Sequence, residues 1–111
     1  MNENSMKRKK APSDLGSAGR RFWKKVLDEY LLEEAHDIER LRLAAKALDR
    51  IAEAERVLDA EGPYIKDRFS QVREHPAMKT MRDFMTVHLR AVRELGLDLT
   101  TGPDTRPSSR Y

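Results

Sequence analysis

The chain has 111 residues, of which 39% are hydrophobic and 37% charged, so it suits one small domain with little material for a core. It contains no cysteine, which excludes a disulfide framework and cysteine-based zinc sites. No apolar run approaches the roughly 18 residues of a membrane span, and no apolar segment follows the basic N-terminus. We therefore expect neither a membrane helix nor a signal peptide.

Charge is unevenly distributed along the chain, although the net charge is only +3. Residues 1–25 contain eight Lys or Arg and two Asp or Glu, residues 26–62 contain five and eleven, and residues 63–111 contain nine and six. The three segments therefore carry +6, −6 and +3. This pattern favours an anionic partner or head-to-tail contact between copies, and a merely solvated surface is the alternative.

The two ends of the chain are polar and lack large apolar residues. Residues 1–16 are rich in Ser and Lys, and we expect a flexible basic arm there. Residues 98–111 combine Pro, Gly, Ser and Thr with scattered Arg, which predicts a flexible tail. The helical domain is therefore expected between these ends, over residues 17–97.

The first predicted helix covers residues 18–32, where apolar side chains recur at helical spacing. Ser17 is the expected N-cap. Trp23 lies among basic residues, and an aromatic ring there could stack on nucleic-acid bases. Its place on the apolar face, beside Phe22 and Val26, favours core packing instead.

A second, long helix is predicted over residues 35–61, and Gly62 followed by Pro63 ends it. Its apolar stripe consists of Ile38, Leu41, Ala45, Leu48, Ala52 and Leu58. On the opposite face we expect the ion pairs Glu39 with Arg42 and Glu53 with Arg56. Residues 63–75 then alternate bulky apolar and charged side chains, which predicts a short β-hairpin or an ordered loop.

The third predicted helix begins at Pro76 and ends at Gly96, with Leu97 placed to contact Val92. A helix of about 27 residues is about 40 Å long, so the third helix can lie antiparallel along the second. The short first helix cannot cover the remaining apolar surface. The resulting fold is all-α with a thin core, which predicts burial against other copies of the chain.

No motif for catalysis is present in the sequence. It lacks a phosphate-binding glycine loop, a Gly-x-Ser-x-Gly elbow and a His-Glu-x-x-His helix. His36, His75 and His88 lie on separate segments, and none has a second histidine at ligand spacing. We therefore expect no catalytic residue, no metal site and no cofactor, and we do not expect an enzyme.

Basic residues form one cluster on the arm and another on the first helix, and such clusters bind phosphate through charge and counterion release. The candidate DNA-binding residues are Lys7, Arg8, Lys9, Lys10, Arg20, Arg21, Lys24 and Lys25. The rival basic site is the C-terminal half, with Arg82, Arg90, Arg93, Arg106 and Arg110.

The order of these features resembles the bacteriophage terminase small subunit family. The stretch "APSDLGSAGRRFWKKVLDEYLLEEAHDIERLRLAAKALDRIAEA" has the Pro-x-x-Leu lead-in, the Arg-x-x-Trp aromatic pair and the acidic helix of that family. The stretch "AEGPYIKDRFSQVREHPAMKTMRDFMTVHLRAVRELGLDL" has the short segment between helices, the proline that opens the next helix and the closing "LGL" of that family. The resemblance covers about residues 11–107.

Two positions depart from the family pattern. Ser70 stands where the family often has a turn glycine, which weakens the expectation of a positive φ there. Glu74 stands where a second proline is common.

The resemblance implies a non-enzymatic packaging protein that acts in the cytoplasm of the bacterial host. Such proteins recognise double-stranded viral DNA, recruit and regulate the terminase large subunit, and commonly assemble as rings. The side chains expected at a subunit contact are Tyr64, Ile65, Phe69 and Val72. Capping of the helix pair within one chain is the alternative for these residues. The competing functional class is a helical adaptor that binds a protein partner and no DNA.

Overall fold

A computed structural model describes residues 9–97 and shows three helices with a β-hairpin between the last two. The elements are helix α1, Ser17–Glu29; helix α2, Ala35–Glu61; strands β1, Tyr64–Lys66, and β2, Val72–Glu74; and helix α3, Pro76–Leu95. The predicted all-α fold is confirmed, and of the β-hairpin and the ordered loop expected between the two long helices, the β-hairpin is present. Residues 1–8 of the predicted arm, which covered residues 1–16, and the predicted tail over residues 98–111 lie outside the described residues. Among the described residues, no helix is long and apolar enough to cross a membrane.

The N-terminus of helix α1 is capped by a side chain of another helix. The prediction that Ser17 is the N-cap was wrong, since Gly16 occupies that position and no cap side chain of α1 makes a hydrogen bond. Instead the carboxylate of Asp49, on α2, accepts the backbone N–H groups of Gly16 and Gly19, each at 2.7 Å. These donors have no partner within the helix, so the carboxylate satisfies them and also suits the positive end of the helix dipole.

The close approach of α1 to α2 requires a glycine. A Cβ atom at Gly19 would lie 2.6 Å from Oδ2 of Asp49 and 2.8 Å from the carbonyl oxygen of Ala45. Helix α1 also ends three residues before the predicted end at Leu32, because Tyr30 has an extended backbone. The tertiary contact of α1 with α2 therefore decides where this helix begins.

Helix α2 has the predicted bounds and ends at Gly62, which has φ +84°. Helix α3 lies antiparallel to it. Arg40, near the start of α2, faces Glu94, near the end of α3, while Glu61 faces His75 at the opposite end. The buried, small Ala44 of α2 permits this close packing.

The apolar core lies where α1 crosses the other two helices. Its buried members are Leu15, Phe22, Trp23, Val26, Leu41, Ala44, Ala45 and Ala91. Trp23 is 4% exposed, so the predicted core position is confirmed. This burial leaves the ring faces unavailable for stacking on a base, and the indole N–H donates to the carbonyl oxygen of Lys9 at 3.0 Å.

The hairpin and the start of α3 follow from local hydrogen bonds. Strands β1 and β2 are antiparallel, with Ile65 opposite Arg73. Ser70 has φ +64°, so the positive-φ turn is present although a glycine is not. His75 caps α3 by accepting the N–H of Ala77 at 2.9 Å. At the other end Gly96 has φ +74° and the N–H of Leu97 reaches the carbonyl oxygen of Val92, as predicted.

Candidate functional site

The predicted DNA-binding residues fall into three groups in the structure. Lys7 and Arg8 lie outside the described residues. Lys9 and Lys10 are exposed and precede α1 by several residues. The other four cations are exposed on α1 itself, and they are Arg20, Arg21, Lys24 and Lys25. The structure thus brings two of the α1 cations, Arg20 and Lys24, together with Lys9.

Helix geometry divides the four α1 cations between two grooves. Arg20 and Lys24, one turn apart, line a groove of about 280 Å³ together with Lys9 and Trp23. Arg21 and Lys25, also one turn apart, line a groove of about 440 Å³ between α1 and α2. Since neighbours i and i+1 point in different directions on a helix, the sequence run "RRFWKK" cannot form one continuous patch.

The two sides also differ in their intramolecular bonds. Arg20 donates to the backbone carbonyl oxygens of Leu15, at 2.9 Å, and Ser13, at 3.3 Å. Lys24 lies 3.3 Å from a carboxylate oxygen of Asp28. Within the part of the chain that the structure describes, Arg21 makes no hydrogen bond or ion pair, and the same holds for Lys25.

The segment before α1 packs against the helices. Leu15 is buried, and Asp14 contacts Arg42 at 2.7 Å and Lys46 at 3.5 Å on α2. Burial alone would raise the pKa of Asp14, but the charges of Arg42 and Lys46 outweigh it and hold that pKa below its ordinary value. Residues 9–16, which the sequence assigned to the arm, are therefore anchored, and the anchoring places Lys9 beside α1.

Two predicted ion pairs on α2 were wrong. Arg42 pairs with Asp14 rather than with Glu39, and Glu53 pairs with Arg50 at 3.0 Å rather than with Arg56. Both differences arise because helical spacing allows several partners, and a segment outside the helix competes for Arg42.

The rival basic site on α3 is partly neutralised. Arg82 forms two bonds to the carboxylate of Glu74, at 2.8 and 2.9 Å. This hydrogen bond lowers the pKa of Glu74 and raises that of Arg82. Arg90 and Arg93 are exposed on α3, whereas Arg106 and Arg110 lie outside the described residues.

The hairpin presents most of its predicted contact residues to solvent. Tyr64, Phe69 and Val72 are 63%, 69% and 67% exposed, and Ile65 is half-buried. The guanidinium of Arg68 lies 5.2 Å from the ring centre of Phe69. Within one chain, three of the four side chains therefore have little to pack against.

The three histidines lie apart from one another and do not form a common site. His36 is exposed at the start of α2. His75 caps α3 and lies 2.7 Å from a carboxylate oxygen of Glu61. His88 lies 2.9 Å from the carbonyl oxygen of Ala44 and contacts Phe22 edge-on. Over residues 9–97, no three His, Asp or Glu side chains are arranged to hold a metal ion.

Sequence reasoning missed the role of Asp49. The signal was available, because Asp49 interrupts the inner side of α2 between Ala45 and Ala52. A carboxylate on an apolar face needs a buried donor. The two glycines that supply the donors could have been found only by knowing that α1 crosses α2 there.

Comparison with known proteins identifies the family. The family model described as "Phage terminase, small subunit" matches residues 19–102, which is most of the chain. The comparisons with curated proteins and with solved structures give no match. The matched segment includes α1 from Gly19 onwards, all of α2 and α3, and the hairpin. The chain therefore belongs to the family of phage terminase small subunits.

Proposed function

We propose that this chain is the non-catalytic, DNA-binding component of a phage packaging motor. In this proposal it assembles as a ring, recognises double-stranded viral DNA and regulates the terminase large subunit in the host cytoplasm. Membership of the small-subunit family supports the packaging role. DNA binding and assembly are argued below from charge and from exposed apolar residues.

The observation that carries the DNA proposal is the basic surface at the start of α1. The hydrogen bond from Trp23 to the carbonyl of Lys9 places Lys9 in the same groove as Arg20 and Lys24. Lys10 is exposed next to Lys9. The proposed contact consists of these cations and the preceding Lys7 and Arg8. Arg21 and Lys25, which the sequence also predicted to bind DNA, line the other groove of α1. Phosphate contacts of this kind position a protein on DNA but carry little sequence information directly.

A salt series tests this proposal. The affinity for double-stranded DNA is measured from about 50 to 200 mM salt, where each phosphate contact contributes a slope of about −0.9 in log K against log salt. We expect a steep slope for the wild type, and a variant with Arg20→Gln and Lys24→Gln to lose about two units of it. The matched control is Arg90→Gln with Arg93→Gln on α3, which should leave the slope unchanged. The opposite result would move the DNA contact to α3.

Assembly is proposed from the hairpin. Tyr64, Phe69 and Val72 are large and exposed, and exposed apolar groups of this kind mark interaction surfaces. Both strands also have a free edge in the described structure, because the sheet has only two strands. Replacing Phe69 and Val72 by Ser should lower the mass found by light scattering while helicity by circular dichroism is retained. Loss of helicity instead would place these residues in the core of one chain.

The alternative function is a helical adaptor that binds a protein partner and no DNA. The exposed apolar residues suit either function, so DNA affinity separates the two. Absence of DNA binding at about 50 mM salt, where electrostatic binding is strong, would favour the adaptor.

A further inference from the structure

The groove between α1 and α2 is an apolar surface with a cationic rim on its α1 side. Its volume is about 440 Å³, and its floor includes Phe22, Leu48 and Ile51. Arg21 and Lys25 stand on the α1 side of the groove, and Glu55 stands on the α2 side. Neither cation has a hydrogen bond or an ion pair to any described residue. The groove thus offers apolar contact and a net positive charge to whatever covers it.

The linker between α1 and α2 has the complementary character. Leu31 is 81% exposed, which is the largest exposure among the large apolar residues described. Glu33 and Glu34 follow it, are exposed, and form no bond with another described side chain. We call Leu31, Glu33 and Glu34 the acidic knob. It combines one apolar side chain with two negative charges.

The knob does not line the groove of its own chain. It joins α2 at Ala35, whereas the α2 residues of the groove begin at Leu48. Thirteen helical residues correspond to about 20 Å at 1.5 Å per residue. Helix α2 therefore separates the knob from the apolar floor that α2 supplies, and Leu31 remains exposed within one chain, so we assign the contact to two copies.

We propose that the acidic knob of one copy docks into the α1–α2 groove of the next. Leu31 contacts the apolar floor, and the carboxylates of Glu33 and Glu34 face Arg21 and Lys25. The contact is heterologous, since it joins two different surfaces, and repeated contacts of this type generate a ring when the rotation closes. The inference deepens the assembly part of the proposed function and rests on it.

Charge selects the knob over the hairpin as the occupant. Both carboxylates of the hairpin are already paired, Asp67 with Arg73 at 2.7 Å and Glu74 with Arg82 at 2.8 Å. The hairpin would therefore bring Lys66 and Arg68 towards a cationic rim. Like charges placed opposite each other in an interface suppress association, whereas the knob brings charges of the opposite sign.

The proposal also gives the cations on the two sides of α1 different partners. In the assembly, Arg21 and Lys25 face the neighbouring knob. DNA is then left with the opposite side of α1, where Lys9, Arg20 and Lys24 lie together.

The first test is a knob variant with Leu31→Ser, Glu33→Lys and Glu34→Lys, compared at equal protomer concentration with wild type by sedimentation. We expect association to weaken about tenfold or more, because the variant removes the apolar contact and opposes like charges. The matched control is Leu43→Ser with Glu39→Lys and Asp59→Lys, which alters one exposed leucine and two exposed carboxylates along α2 outside the knob. The control should associate like wild type. Equal association of the knob variant and wild type would overturn the proposal, as would a wild type that stays monomeric.

The second test is reciprocal. A groove variant with Arg21→Glu and Lys25→Glu should also associate about tenfold or more weakly by itself. Mixed with the knob variant, it should form mixed assemblies, because the reversed charges are again complementary. Absence of mixed assemblies would contradict the pairing. Leu31→Ser alone changes an exposed side chain, so it should weaken association while the chain stays folded. Retained helicity of this variant would show that weaker association does not reflect unfolding.

The result is separable from that of the DNA proposal. The knob variant changes no predicted DNA-binding residue, so its protomers keep the cations of α1. Unchanged association of the knob variant with steep salt dependence of DNA binding would reject this contact alone. Weakened association with no DNA binding by wild type would reject only the DNA proposal.

Discussion

The two ends of the helical hairpin formed by α2 and α3 are stabilised in different ways. At the end that α1 crosses, Trp23 is 4% exposed and Val26 and Leu41 are completely buried. At the β-hairpin end, Phe69 and Val72 are mostly exposed. Burial of apolar area is the larger stabilising contribution, at about 25 cal/mol per Å². The α1 end therefore supplies most of the monomer's stability, and the β-hairpin end is free to meet another molecule.

The β-hairpin depends instead on exposed charged groups. The carboxylate of Asp67 accepts a bond from Arg73 at 2.7 Å and from the backbone N–H groups of Phe69, at 2.8 Å, and Gln71, at 3.0 Å. The bond from Arg73 is the main cause that holds the pKa of Asp67 below its ordinary value. Exposed ion pairs contribute little and are screened by salt, so this end should respond to pH and salt more than the core does.

The largest expected effect is at Trp23. Trp23→Ala should reduce the free energy of unfolding by about 3–5 kcal/mol, since it removes a buried ring and leaves a cavity. Urea unfolding followed by circular dichroism measures this at fixed protomer concentration. Phe69→Ala, which truncates an exposed ring of the hairpin, is the comparison and should change monomer stability by less than about 0.5 kcal/mol. Equal effects at the two positions would refute the difference between the ends.

A smaller loss is expected at Asp49. Asp49→Ala removes the acceptor of the Gly16 and Gly19 N–H groups, and bonds to a charged group contribute about 1.5–3 kcal/mol. Thermal unfolding should show this loss, and hydrogen exchange at Gly19 should accelerate. Asp83→Ala, at an exposed carboxylate paired with Lys79, is the control and should be nearly neutral. An unprotected Gly19 amide in the wild type would contradict the capping role.

A gain of stability is expected in the hairpin turn. Ser70 has φ +64°, a conformation that costs a residue with a Cβ atom about 1–2 kcal/mol. Ser70→Gly removes that cost but adds freedom to the unfolded chain, so the net gain should be about 0.5–1 kcal/mol. Slower hydrogen exchange at the amide of residue 70 would report it. Ser70→Ala keeps the Cβ atom and should show no gain, and a gain equal to that of Ser70→Gly would exclude backbone strain as the cause.

The smallest effect concerns pH. Because the pKa values of Asp67 and Glu74 are lowered in the folded chain, their stabilising contribution is present above the ordinary carboxyl pKa and is lost as pH falls through the lowered values. Amide chemical shifts of residues 67–74 should therefore change below about pH 4, before Trp23 fluorescence does. The Asp67→Asn variant should lack much of this change. Shifts that already change at the ordinary carboxyl pKa, about 4, would contradict the role of the ion pairs.

Sequence patterns predicted the long helices well and the details of α1 poorly. The bounds of α2 follow from Gly62 and Pro63, and those of α3 from Pro76 and Gly96, which are local backbone signals. Helix α1 has no such signal at its start. Its cap comes from Asp49, 30 residues beyond Gly19, which no local rule can anticipate.

In the candidate site too, some features could be predicted from the sequence and others could not. The sequence located the basic residues and the apolar hairpin residues, because composition and helical spacing are visible in a single chain. It could not assign Arg20 and Lys24 to one groove and Arg21 and Lys25 to another, since grooves exist only between packed elements. The preference of Arg42 for Asp14 over Glu39 likewise needed the segment before α1 to be placed.

By itself, then, the sequence determined the helical class, the two long helices and the burial of Trp23, and it narrowed the segment between the long helices to a hairpin or an ordered loop. These features depend on backbone geometry and on apolar periodicity over a few neighbouring residues. The tertiary structure alone decided the cap of α1, the ion partner of Arg42 and the division of the α1 cations. These depend on which distant groups meet, and the free energy of such contacts is set by distances that only the packed helices define.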